Sequence, residues 1–141
     1  MRSPRVIRRC DMAEATPLQS VPVKMYRTAD TVTVATPMPG LGADNIAVDV
    51  TADDHLVVRG QLRGALKDVK ELLVDEWSAG PYYREIELPA PVDGPGATVT
   101  YGNGVLVVAL PVADSTRPAR LCLHETAPTR GQRVPGDPPC D

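Results

Sequence analysis

The sequence predicts an all-β protein, an antiparallel β-sandwich with flexible arms at both ends, and three observations carry the prediction. Short runs of Val, Leu, Ile and Thr alternate with period two, the spacing of a strand with one buried face. The runs are separated by turn residues; the chain has 15 Pro and 11 Gly in 141 residues, too many for long helices. Hydrophobic residues make up 43% of the chain but aromatics only 4%, with no Phe. The core must therefore be built from aliphatic side chains. The length suits one domain with terminal extensions.

Each strand can be justified in order. Residues 1–20 lack periodicity and contain Pro4 and Pro17, so they read as a flexible arm. Residues 23–27 alternate weakly and read as an edge strand. Residues 31–36 alternate strictly, with Val32 and Val34 on one face and threonines on the other. Pro37 and Pro39 stop that strand, because Pro cannot donate to a ladder. Ile46, Val48 and Val50 align on the next strand, and residues 55–59 return as a hairpin after a turn at residues 52–54.

Residues 61–76 are ambiguous. Leu62, Leu66, Val69, Leu72 and Leu73 fall near helical spacing, whereas Gly64, Val69 and Val74 weaken a helix. Residues 81–88 are a strand with Tyr82, Arg84, Ile86 and Leu88 on one face, and residues 89–96 form an irregular connector. Residues 97–101 and 105–110 make a hairpin about the Gly102-Asn103-Gly104 turn, whose residues tolerate positive φ. Seven strands thus lie within residues 21–112. Residues 113–141 are rich in Pro, Arg, Thr and Gly and read as a flexible tail, interrupted by one apolar island, Leu121-Cys122-Leu123.

Composition also excludes functions. Lys plus Arg number 15 and Asp plus Glu 18, a net charge of −3, which argues against a nucleic-acid partner whose phosphates need neutralising. Arg2, Arg5, Arg8 and Arg9 read as a solvated basic arm. The start is basic but no apolar stretch follows it, so no secretory signal is expected. Residues 94–113 carry no charge, yet their Pro, Gly and Asn and their alternation indicate strands and not a membrane span. A cytoplasmic protein is expected, and its three cysteines, Cys10, Cys122 and Cys140, are expected as reduced thiols because no CxxC spacing occurs. Whether they are redox-active stays open.

No catalytic constellation is visible. Cys122 and His124 lack a third metal ligand, and His55 beside Asp53 and Asp54 reads as a turn cluster. No nucleophile elbow, phosphate-cradling loop or HExxH is present. Neither an enzyme, a metal site nor a cofactor is expected.

Three passages, in order and suitably spaced, resemble the small heat-shock protein family of the bacterial type, whose core is the α-crystallin domain. The first is Pro39-Gly40, the strand at residues 46–50, and Leu56-Val57-Val58-Arg59-Gly60. The second is Glu76-Trp77, Gly80-Pro81-Tyr82, Arg84, Leu88-Pro89 and Val92-Asp93. The third is the signature Asn103-Gly104-Val105-Leu106 ending at Leu110-Pro111. The resemblance covers roughly residues 21–112. The usual Ala of the third passage is Val99, and the usual aromatics of the second are Tyr82 and Ile86.

The resemblance implies an immunoglobulin-like sandwich and an ATP-independent chaperone, a holdase that binds unfolding proteins and prevents their aggregation under heat or other stress. It implies a homodimer and a larger homo-oligomer, with unfolding clients as further partners and neither nucleic acid nor membrane. For residues 61–76 it implies a loop with a short strand reaching to a partner subunit, the reading preferred here to a helix. Arg84, Leu72, Leu73 and Trp77 are then dimer-interface residues. Leu121 and Leu123 match the family's tail motif, which docks as an added strand into a groove of a neighbouring subunit. That groove is edged by Ile46, Val48 and Val50 on one strand and Val99 and Tyr101 on another. The rival reading is a CS-domain-like co-chaperone, a protein-binding module with one dedicated partner; the Leu121 and Leu123 island and the length of residues 61–80 count against it.

Overall fold

A computed structural model describes residues 19–61, 73–74, 81–138 and 140. Eleven strands occur among them: β1 Gln19–Ser20, β2 Lys24–Arg27, β3 Thr31–Pro37, β4 Ile46–Val50, β5 His55–Gly60, β6 Tyr82–Glu87, β7 Thr98–Gly102, β8 Val105–Pro111, β9 Ala119–Cys122, β10 His124–Ala127 and β11 Arg130–Arg133. They form two sheets, one in the order β1-β6-β5-β4-β9 and one in the order β10-β11-β7-β8-β3-β2. All pairings are antiparallel except β1 with β6, which is parallel. The fold is the all-β sandwich that the alternation predicts.

The alternation becomes the burial pattern directly. In β3, Val32, Val34 and Thr36 point inward, and across the ladder they meet Leu110, Val108 and Leu106 of β8. Thr36 is admitted to the core because its hydroxyl donates to the Pro22 carbonyl at 2.8 Å, which satisfies a polar group that burial would otherwise penalise. From the other sheet come Ile46, Val48 and Val50 of β4 and Leu56 and Val58 of β5. Tyr82 and Leu88 bracket the inward face of the β6 segment, and Ile86 packs against the core between them. The β7–β8 turn is sharp because Asn103 (φ 55°) and Gly104 (φ 78°) both take left-handed backbone, the geometry of a tight hairpin. The third residue of that predicted turn, Gly102, instead ends β7.

Three expectations change. The domain was expected to start at residue 21, but Gln19 and Ser20 already pair with Tyr82 and Tyr83. The tail expected at residues 113–141 is a folded part of the sandwich over its described residues: β9 adds to β4, and the β10–β11 hairpin adds to β7. Apolar content alone does not decide whether such a segment is ordered. A strand edge offers unpaired N–H and C=O groups, so a polar segment can be ordered by backbone pairing with few buried side chains. Third, Cys122 and Cys140 are joined in a disulfide, with Cα atoms 5.3 Å apart and a sequence separation of 18, where free thiols were expected. Almost all of residues 61–76, whose helical or looped form was open, lies outside the described residues.

Candidate protein-docking groove

Without the C-terminal segment β4 would end one sheet and β7 the other, and the segment closes the mouth between them. After β8 the chain runs back along the connector at residues 92–94. Arg117 N–H donates to the Val92 carbonyl at 2.9 Å, and Gly94 N–H donates to the Arg117 carbonyl at 2.9 Å. The Arg117 guanidinium also meets the Asp93 carboxylate at 3.0 Å, and Thr116 Oγ1 donates to Asp54 Oδ1. These contacts aim the following residues at β4.

β9 then pairs with β4, placing Leu121 opposite Val48, Cys122 opposite Ala47 and Arg120 opposite Asp49. On the outer face the Arg120 Nε donates to Asp49 Oδ1 at 2.9 Å. On the inner face Leu121 is fully buried, and Leu123 is 7% exposed. The alternate residues Leu121 and Leu123 thus fill the mouth, as strand addition with two side-chain anchors requires.

The chain next crosses to the other sheet. β11 pairs with β7, with Gly131 opposite Tyr101 and Arg133 opposite Val99. Gly131 is needed for close approach: a Cβ there would lie 2.3 Å from the Ala43 Cβ and 2.9 Å from the His124 carbonyl oxygen. Arg133 is buried at 4% exposure. Its guanidinium donates to the carbonyls of Pro95 (3.0 Å) and Ala97 (2.7 Å), so main-chain oxygens compensate the buried cation. Val134 N–H and Asp137 Oδ2 (2.9 Å) then turn the chain back towards β9, where Cys140 N–H reaches the Arg120 carbonyl (3.5 Å) and its sulfur bonds to Cys122.

Ile46, Val48, Val50, Val99 and Tyr101 all lie within one buried cluster together with Leu121 and Leu123. Sequence alone did not separate core from groove at these positions. In the structure all five are core residues, and Leu121 and Leu123 of the chain's own segment are buried with them. Tyr101 donates its hydroxyl to the Met38 carbonyl at 2.6 Å and Tyr82 donates to the Pro39 carbonyl at 3.0 Å; burial raises both phenols above the ordinary tyrosine value.

The remaining expected residues fall elsewhere. Asn103, Gly104, Val105 and Leu106 form the β7–β8 turn and the start of β8. Arg84 lies on β6 opposite Val58, and its Nη1 donates to the Val21 carbonyl at 3.0 Å. Leu73 is 81% exposed, while Leu72 and Trp77 lie outside the described residues. The sequence gives no sign of the roles of Gly131 and Arg133, nor of the bond that Cys140 makes to Cys122. For the hairpin that carries Gly131 and Arg133 the available signal was a four-residue run on each side of Pro128-Thr129, a short hairpin pattern in polar residues. Among the described residues no group of three His, Cys, Asp or Glu is placed to hold a metal ion, and no helix is long and apolar enough to cross a membrane.

Comparison with known proteins agrees with this architecture. The sequence model of the Hsp20/alpha crystallin family matches residues 24–121. The chain is 30% identical over 110 residues to 18 kDa antigen 2 of Mycobacterium avium, covering 76% of this chain and 78% of that protein. It is 27% identical over 103 residues to 18 kDa antigen 1 of Mycobacterium intracellulare, covering 73% and 68%. Among solved structures it resembles heat shock protein 16.0 from Schizosaccharomyces pombe, with a TM-score of 0.59, 25% identity, and coverage of 70% of this chain and 91% of that one. The sandwich, the signature turn at Asn103-Gly104, the strand added at Leu121 and these matches together support a general chaperone role, and the chain belongs to the Hsp20/alpha crystallin family as a small heat-shock protein of the bacterial type.

Proposed function

We propose that the protein is an ATP-independent holdase of the cytoplasm, which covers the apolar segments of unfolding proteins and so delays their aggregation under stress. One observation supports this most: the apolar mouth between β4 and β7 is closed by two leucines of a peripheral segment, Leu121 and Leu123, seated by strand addition. An extended apolar stretch of an unfolding client presents the same alternating side chains and the same backbone groups. The driving force is burial of apolar surface, which needs no nucleotide and no cofactor.

Family membership further supports a homodimer and a larger homo-oligomer. Among the described residues the outer strand β2 is an open edge, and its Tyr26 is 53% exposed. We place the dimer contact at Arg84, Leu72, Leu73 and Trp77, of which Leu73 is markedly exposed. Arg84→Gly is then expected to lower the mass distribution at low protein concentration, and an unchanged distribution rejects that assignment.

The functional test is light scattering of a heat-labile client, with and without an equimolar amount of the protein and without ATP. Suppressed scattering is expected. Unchanged scattering at several temperatures overturns the holdase reading.

A further inference from the structure

The family match ends at residue 121, and the chain beyond it pairs with the sandwich through β11. Both strand edges of the mouth are taken by one segment, β4 by β9 and β7 by β11. The Cys122–Cys140 bond joins the first of these strands to the residues that return from the second. The segment is thereby closed into a clasp that spans both sheets. Both cysteines are partly exposed, so a small thiol reagent has access to them. Cys122 also sits at the register position of Ala47 on the outer face of β9, while Leu121 and Leu123 carry the apolar seating. The sulfur chemistry can therefore change without altering the packed core.

We infer that Cys122 and Cys140 form a redox site, and that their disulfide holds the segment over its own β4–β7 mouth. The inference deepens the holdase reading, because the surface controlled is the one proposed to take clients. The disulfide does not tether the segment to the domain, since both cysteines belong to the segment. It acts on the lifted state. A closed loop of 18 residues has far fewer conformations than an open one, so lifting gains less entropy, and the seated state is favoured by on the order of a hundredfold. The open, reduced segment loses that advantage, and its two strands can leave their edges separately. In the cytoplasm proposed above for this protein, a disulfide in this position fits a transient, redox-responsive bond better than a permanent one.

The chemistry balances by thiol–disulfide exchange with a low-molecular-weight disulfide. The thiolate of one cysteine attacks the reagent and releases one small thiol. The second cysteine then attacks the mixed disulfide, forms the Cys122–Cys140 bond and releases the second small thiol. Two protein thiols are oxidised as one reagent disulfide is reduced, and a dithiol reverses the exchange.

The test uses the full chain carrying Cys10→Ser, so that the third thiol takes no part. One sample is oxidised with glutathione disulfide and one reduced with dithiothreitol, and amide hydrogen exchange is followed by mass spectrometry. Reduction should speed exchange in β9 and β11 by roughly tenfold to a hundredfold while β3 and β8 stay protected. Cys140→Ser should exchange fast under both conditions. Equal protection of β9 in the oxidised and reduced forms overturns the inference, as does the formation of glutathione adducts in place of the internal bond. Client scattering is read on the same samples, and stronger suppression by the reduced form is expected. Equal, real suppression by both forms overturns the regulatory role. If neither form suppresses scattering yet exchange in β9 responds to reduction, the latch stands and the holdase reading falls.

Discussion

Leu121 of β9 lies directly opposite Val48 of β4, and neither side chain retains any exposed surface. This contact joins a peripheral segment to the edge of an otherwise complete sheet. It makes the β4 edge an interior strand while the segment is seated and an open edge when the segment lifts.

Leucines at the two kinds of position should respond differently to truncation. Leu106 of β8 is fully buried in the central ladder, so Leu106→Ala should cost about 2–5 kcal/mol of global stability. Leu121→Ala removes an equally buried side chain, but its global cost is capped by the free energy of seating the segment, because the segment can leave while the sandwich stays folded. Urea unfolding should show the large midpoint shift only for Leu106→Ala, and hydrogen exchange should show the loss in Leu121→Ala confined to β9–β11. Equal midpoint shifts for the two would mean that the segment is inseparable from the domain.

Gly131 is the steric test of the clasp. An alanine Cβ there would collide with Ala43 and with the His124 carbonyl, and the colliding atoms belong to backbone or to a short, rigid side chain. Gly131→Ala should therefore lift β11 from β7 and expose Arg133. Trypsin cleavage after Arg130 and Arg133 should accelerate by on the order of tenfold or more, with the sandwich still folded by circular dichroism.

Tyr101 tests the polar support under the mouth. Tyr101→Phe keeps the ring and leaves the Met38 carbonyl, which accepts from the hydroxyl at 2.6 Å, without that donor. A loss of about 1–3 kcal/mol is expected from equilibrium urea unfolding.

His55 makes a prediction about pH. Desolvation lowers its pKa, but the Asp53 carboxylate, 3.4 Å from Nδ1, acts together with the Asp53 carbonyl and the Glu85 charge to outweigh this, and the net shift is upward from 6.5. The cation therefore binds its proton more tightly folded than unfolded. The stabilisation this provides is fully present below about pH 6.5 and is lost as pH rises through the higher folded value. Proton NMR of the imidazole should give a midpoint above that of an ordinary histidine, and Asp53→Asn should bring it down. A midpoint that does not move in Asp53→Asn removes the carboxylate as the cause.

Much of the fold was legible because burial in a sandwich follows a period of two. The inward positions of β3 and β4 could be named from Val32, Val34, Ile46 and Val48 with no structure at hand. The Asn103-Gly104 turn was legible because few residues take positive φ readily. The site was legible only in part. Leu121 and Leu123 stand out as an apolar island, but Gly131 and Arg133 sit in a polar stretch where no periodicity marks them. Their roles depend on Ala43, Pro95 and Ala97, residues far away in sequence.

The sequence by itself determined the seven strands within residues 21–112, several of their inward faces, the turns between them and the family, since each depends on residues a few positions apart. Only the tertiary structure decided where residues 117–140 go. Strand addition is specified by backbone groups that every residue carries, so the choice of edge is invisible in the side-chain pattern. The same holds for the Cys122–Cys140 bond. Its 18-residue separation carries no signal until two sheet edges bring its ends to within 5.3 Å.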